Sequence, residues 1–234
     1  MLKLMKLEWK KHRVNSYFKA LVICIVAIFG AVALMAWTSG RESIPLFPDY
    51  EEFMSLTNIF IRIVFIIFSS VLLSRIVIDE YRNKTIQLLY TYPLQRKKLM
   101  QAKLAIVFGF CFFSIIMATM IINLLVLFLN PLLPLFEASA RVGDMVASIP
   151  TTILNALMIA GMSLIPLYFG MRKKSAPATI TWAVLIGFAI NANVSTEAAS
   201  TSLFQFIAVP IAMCLVGLTI GYLSYYKLDK IDVA

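Results

Sequence analysis

Residues Asp79 to Lys103 read DEYRNKTIQLLYTYPLQRKKLMQAK, a strongly charged, glycine-free stretch set between two continuous apolar runs. Taken as a helix from Asp79, it gathers Tyr81, Thr85, Leu88, Leu89 and Tyr92 on one side by 3–4 spacing. Arg82, Asn83, Lys84 and Gln87 fall mostly on the other side. Pro93 lacks an amide N–H and fits only a first helical turn, so it ends this helix or begins the next. Arg96, Lys97, Lys98 and Lys103 then lead into the following apolar run. The stretch is too polar to enter lipid and too amphipathic to be idle in solvent. It reads as a short helical elbow at a membrane surface, presenting one face to something else.

On both sides of the elbow the chain is apolar. Its 234 residues are 61% hydrophobic and 14% charged, with a mean hydropathy of +0.87, whereas a soluble domain carries about a quarter charged residues. Crossing about 30 Å of hydrocarbon takes roughly 20 helical residues. Six spans follow, at about 18–38, 56–78, 104–130, 149–170, 176–193 and 203–226. A β-barrel is excluded, because the runs are continuous rather than alternating. The expected fold is therefore all-α: a polytopic integral membrane protein, one transmembrane domain over residues 1–234, with the elbow at 79–103.

The opening residues MLKLMKLEWKKHRVNSYFK place Lys3, Lys6, Lys10 and Arg13 along one helical stripe, and Leu2, Met5 and Trp9 along another. That pattern predicts an interfacial helix over 2–17 lying on anionic headgroups. A secretory leader would share the basic start and the Ala31-Val32-Ala33 pattern. The apolar run from Phe18 to Trp37 is too long for one, and more spans follow.

Orientation comes from Lys and Arg in the short connections. Of the 21 basic residues, 17 lie in 1–19, 79–103, 172–174 and 227–234, and only Arg41 and Arg141 lie in the connections of the other side. Both termini and the elbow are thus expected in the cytoplasm. The net charge of +9 reflects topology, not nucleic-acid binding. Glu42, Asp49, Glu51, Glu52, Glu137, Asp144 and Glu197 fall on the outer side, where they solvate loops or attract cationic ligands. NVSTEAASTS, residues 193–202, reads as the loop between spans five and six.

An intramembrane enzyme needs acids, bases or metal ligands held in the bilayer. The six spans hold no Asp, Glu or His, and His12 is the lone histidine of the chain. None of the nine glycines precedes a lysine, so there is no phosphate-cradling loop and no nucleotide hydrolysis by this chain itself. Cys24, Cys111 and Cys214 sit in apolar runs as small packing residues, not metal ligands. No metal or cofactor is expected in this chain.

Four features interrupt the spans. Arg62, in NIFIRIVFII, either snorkels toward Glu51 or Glu52 or lines a translocation path. Arg75 has Asp79 four residues on, a favourable helical pairing. Asn123 suits a hydrogen bond between helices or a place on the path, and Pro166 suits a kink. Gly217 and Gly221 form a GxxxG match that lets helices approach closely.

At the elbow, Asp79-Glu80, Lys84-Thr85, Leu88-Leu89, Pro93, Arg96 and Lys103 resemble the inner loop between spans two and three of type-2 ABC transporter permeases, with bacitracin and lantibiotic exporter or immunity permeases nearest in character. Lys84 stands where that family commonly has glycine. The resemblance implies a permease subunit of an ATP-binding-cassette exporter in the bacterial cell membrane, paired with a second permease chain, identical or different. A separate ABC ATPase, carrying ATP and Mg, would dock on Glu80, Arg82, Thr85, Leu88, Leu89, Tyr92, Pro93 and Arg96. The implied cargo is a peptide antibiotic or another amphipathic compound. Two other classes stay open on the residues alone: a self-contained channel or secondary carrier, and a membrane anchor or assembly protein without transport.

Overall fold

The computed structural model describes residues 5, 8, 9, 15–39, 49–79, 96–129, 142–196, 199–202 and 208–226. Within them the chain forms a helical bundle with one small strand pair. The helices are α1 (Asn15–Ser39), α2 (Tyr50–Leu73), α3 (Arg96–Leu129), α4 (Val142–Ala147), α5 (Ile149–Met162), α6 (Pro166–Lys173), α7 (Ala176–Ile190) and α8 (Ala208–Tyr226). A π-helical segment, Ser74–Ile78, continues α2, and β1 (Asn193–Thr196) and β2 (Ala199–Ser202) lie between α7 and α8.

Among the described residues, four stretches are long and apolar enough to cross a bilayer: Tyr17–Ser39, Tyr50–Ile78, Lys98–Leu129 and Ile149–Lys173. Ala176–Ile190 and Ala208–Ser224 are shorter apolar helices. The 15 residues of α7 rise about 22 Å at 1.5 Å each, less than the roughly 30 Å of hydrocarbon. The protein is thus a polytopic, helical membrane protein in which four long spans are joined by two shorter apolar helices. The helix of span two begins at Tyr50 rather than 56, with Glu51 and Glu52 in its first turn, where carboxylates suit the positive end of the helix dipole. That of span three begins at Arg96, upstream of the expected 104.

The interior is built on α2 and the α5–α6 stretch, each with 61% of its apolar window buried, against 33% for the first span and 39% for the third. α2 packs on α1, α3 and α7, while α5 packs on α3 and α8. Outward faces stay apolar, as at Ile23 and Val26 of α1, Leu124 and Phe128 of α3, and Leu215 of α8. Lipid tails are as apolar as leucine, so close fit and polar links hold such helices together rather than the hydrophobic effect. The closest fit is between α5 and α8. A Cβ at Gly217 would press on the carbonyl oxygen of Gly161 and lie 2.8 Å from its carbon, and one at Gly161 would lie 3.2 Å from the Cα of Cys214. An added Cβ at Gly221 would meet only side-chain ends at ordinary contact, Leu164 Cδ1 at 3.5 Å and Leu104 Cδ1 at 3.9 Å.

Two irregular stretches interrupt the spans, and both are buried. In one, Ser74, Ile76, Val77 and Ile78 of the π segment face the interior. The other precedes Pro166, which has no N–H to give and stands at the start of α6. Around it Leu164 N–H bonds to Gly161 O at 3.2 Å, Ile165 to Met162 O at 2.9 Å and Leu167 to Leu164 O at 3.1 Å. These i→i+3 bonds take up groups the proline would otherwise orphan. Lys174 then reverses the chain in the left-handed region, at φ 45°.

Within the stretch 193–202, expected as a loop, the described residues form two strands. β1 and β2 pair antiparallel from Asn193–Ser202 to Thr196–Ala199, and the β-branched Val194 and Thr201 oppose each other, as strand preference favours. α4 is likewise a helix within a connection read as irregular.

The glycine contacts make a graded prediction. Gly217→Val should destabilise the purified protein by about 1–3 kcal/mol through overpacking, whereas Gly221→Ala should leave it unchanged. Size-exclusion profiles after a heating step read both, and equal behaviour of the two variants would contradict the close approach at Gly217.

Candidate functional site

Residues 80–95 lie outside the described residues, and with them Glu80, Arg82, Thr85, Leu88, Leu89, Tyr92 and Pro93 of the predicted docking face; Arg96 is the first residue of α3. The roots of the elbow are described, and they are tied together. Lys103 of α3 is buried, and its Nζ donates to the carbonyl of Ile76, in the π segment, at 3.2 Å. The same ammonium lies 3.9 Å from Oε2 of Glu8, also buried. One cation therefore joins the end of α2, the start of α3 and the N-terminal segment. Charge-assisted bonds of this kind are among the stronger ones available.

An aromatic cluster backs this knot. The Trp9 ring centroid lies 6.2 Å from that of Phe110 and 6.3 Å from that of Phe18, and Phe110 stacks on Phe68 at 5.9 Å. Met5 and Trp9 of the predicted interfacial stripe thus pack against the bundle. Arg75 turns to Tyr17, donating to its hydroxyl at 3.4 Å with the guanidinium 5.8 Å from the ring centroid. No ion pair joins it to Asp79 among the described residues.

Arg62 and Asn123, grouped on one path by the sequence reading, occupy different places. Asn123 Oδ1 accepts a hydrogen bond from the Tyr50 hydroxyl at 3.0 Å, both groups buried, which links the first turn of α2 to the far part of α3. Arg62 lines a small open pocket, about 20 Å³, between α2, α3 and α5. Its polar lining is Asn58, Arg62, Thr119, Thr152 and Asn155; Ile61, Ile115 and Ile159 complete it. Arg62 Nε donates to the Asn58 carbonyl at 3.1 Å, one turn back on its own helix, and Glu51 and Glu52 stand exposed near the start of α2. Thr119 and Thr152 donate to the carbonyls of Ile115 and Ser148, at 3.0 and 2.8 Å.

Glu8, Ile76, Asn58 and Asn155 were not singled out from sequence. Asn155 carries a signal that could have found it, an amide inside the apolar run TTILNALMIAG. A main-chain carbonyl such as that of Ile76 carries none. Pro166 and Gly217 sit at the irregular turn and the α5–α8 contact described above.

Residues 4–191 match the family described as ABC-2 family transporter protein. The chain is also similar to the uncharacterized protein YcbO of Bacillus subtilis (strain 168), 31% identical over 229 residues that cover 98% of this chain and 99% of the relative. No solved structure matches.

The knot at Lys103 is testable by itself. Removing one partner from a buried charge pair costs about 3 kcal/mol or more, so Lys103→Met should lower the apparent melting temperature of the purified protein. Adding Glu8→Gln to that variant should restore part of the loss. An unchanged melting temperature in Lys103→Met would show that this cation does not hold the elements together.

Proposed function

We propose, from the premise that the chain belongs to the ABC-2 family of transporter proteins, a specific way in which it works as a permease. Membership makes the chain a membrane permease component of an ABC transporter rather than a catalytic enzyme, with an ABC ATPase as its partner and a bacterial membrane as its location. The alternatives of a self-contained carrier and of an anchor without transport do not accord with that membership. In our reading the cytoplasmic elbow 79–103 is where the ATPase docks. The apolar face of Leu88, Leu89 and Tyr92, rimmed by Glu80, Arg82 and Arg96, sits in a groove of the ATPase, beside Thr85 and Pro93. ATP and Mg are held by that partner. Two permease chains, identical or different, flank the path, and both termini face the cytoplasm, as the grouping of 17 of 21 basic residues favours.

The observation that carries this reading is the knot at Lys103. A displacement of the elbow reaches two roots, Asp79 and Arg96. Because Lys103 bonds the carbonyl of Ile76 at 3.2 Å, α2 and α3 receive it as one body. Such a lever needs two states of the interface with different nucleotide preference. Cargo is exported, and an amphipathic compound such as a peptide antibiotic fits the family resemblance of the elbow.

Replacing both Leu88→Asp and Leu89→Asp should abolish co-purification with the co-expressed ATPase while membrane insertion persists. Undiminished co-purification would remove the elbow as the docking site. ATPase activity of the wild-type pair, stimulated by candidate peptides and flat in the double variant, is the functional counterpart.

A further inference from the structure

We propose that the bundle opens along the seam where α2 and α3 meet α5, with water crossing a layer at Ile115 and Ile159 to reach buried hydroxyls beyond it. The motion lies within one chain, goes beyond the permease reading and needs neither ATPase nor cargo. Three observations carry it.

The first is a register of polar groups. Asn58 and Ser69 stand about three turns apart on α2 and so share a side of that helix. On α3, Thr119, Ile115 and Cys111 follow at four-residue intervals, as do Asn155, Ile159 and Ser163 along α5 and just past its end. The fold brings the three rows together at two levels. Asn58, Thr119, Thr152 and Asn155 line the small pocket with Ile115 and Ile159. Nearer the elbow, the thiol of Cys111 lies beside the hydroxyls of Ser69 and Ser163. The two isoleucines stand between these levels on their helices, and apolar constrictions of this kind open and close by wetting.

The second is an unmet demand on the elbow side of that layer. Ser69 Oγ and Ser114 Oγ are buried and make no hydrogen bond among the described residues. Their side chains are 1% and 0% exposed. The thiol beside Ser69 is a weak partner, and Ser114 stands three residues from Cys111 on the same side of α3. A buried hydroxyl left unpaired penalises the state that buries it. Parting of the seam admits water and removes that penalty. On the far side of the layer, Thr119 and Thr152 already bond to carbonyls of Ile115 and Ser148.

The third is how the helices are fastened. Tyr50 with Asn123, and Lys103 with Ile76, tie α2 to α3. α5 is joined instead to α8, by the approach of Gly161 to Gly217 and by the Cys214 thiol on the Leu157 carbonyl at 3.9 Å. The seam runs between these two fastened pairs. The pocket within it, about 20 Å³, has room for a water molecule.

The test uses the full-length chain with Cys24→Ala and Cys214→Ala, which leaves Cys111 as its one thiol, purified in a neutral maltoside. Modification by a cationic methanethiosulfonate, which attacks from water, is followed by mass spectrometry. Each rate is divided by that of the same variant in sodium dodecyl sulfate, cancelling differences in intrinsic thiol reactivity. Cys111 should react slowly but measurably. Ser69→Ala removes the penalty of the closed seam and should slow modification roughly ten-fold. Ile159→Ser weakens the apolar layer and should speed it about ten-fold or more; Ile115→Ser serves if that variant does not purify as a single species. Ile25→Ala opens a cavity at a buried position of α1, away from the seam, and should leave the rate unchanged. A thiol that stays unmodified in every folded variant overturns the proposal. So does a rate that Ser69→Ala leaves unchanged or raises, or that Ile25→Ala raises as much as Ile159→Ser. No ATPase is present, so such a failure leaves its docking on the elbow untouched.

Discussion

A carbonyl that loses its helical partner inside hydrocarbon finds no water to replace it, and each such orphan costs several kcal/mol. Among the described residues, the two irregular stretches within the long spans obey that constraint. The turn before Pro166 closes its bonds at i→i+3 and is buried through Ser163, Leu164 and Ile165. The π segment is buried through Ser74, Ile76, Val77 and Ile78, and the carbonyl of Ile76 receives the ammonium of Lys103. α6, which starts at the first irregular turn, packs against the π segment. The departures from regularity are therefore neighbours, shielded from lipid by one another and by α2, α3 and α7.

Around them the bundle is held by few but specific links. Tyr50 and Asn123 tie α2 to α3 toward one end, and Lys103, Ile76 and Glu8 tie the same two helices and the N-terminal segment toward the other. Buried hydroxyls such as those of Thr57, Thr119 and Ser163 donate to carbonyls of their own helices, satisfying themselves without holding helices together. Gly161 and Gly217 supply the close backbone approach between α5 and α8. α2 and α3 are thus fastened at two heights, and Arg62 lies on α2 between those fastenings.

The layout of the molecule was legible in the sequence because lipid imposes a length and a polarity on every span. Apolar runs marked the four long helices, Pro166 marked the break, and the elbow residues pointed to the transporter family. What escaped were pairings between distant parts of the chain. Periodicity assigns a residue to a face and says nothing of which helix lies opposite, so Gly217 was visible and its partner Gly161 was not. Arg62 was visible for the same reason, while Asn155 needed the α2–α5 contact to acquire meaning. The π segment SRIVI has no proline, glycine or polar run to announce it, and the β1–β2 pair was hidden in small residues that read equally well as a loop.

A π turn accommodates one residue more than an α turn over the same arc. Its presence at Ser74–Ile78 means that the helical phase of α2, set by the core contacts of Phe53, Ile61 and Phe65, is decoupled from the direction in which the chain leaves the bundle at Asp79. The azimuth of the departing strand of polypeptide can thus be retuned by inserting or deleting a single amino acid there, without disturbing any side chain upstream.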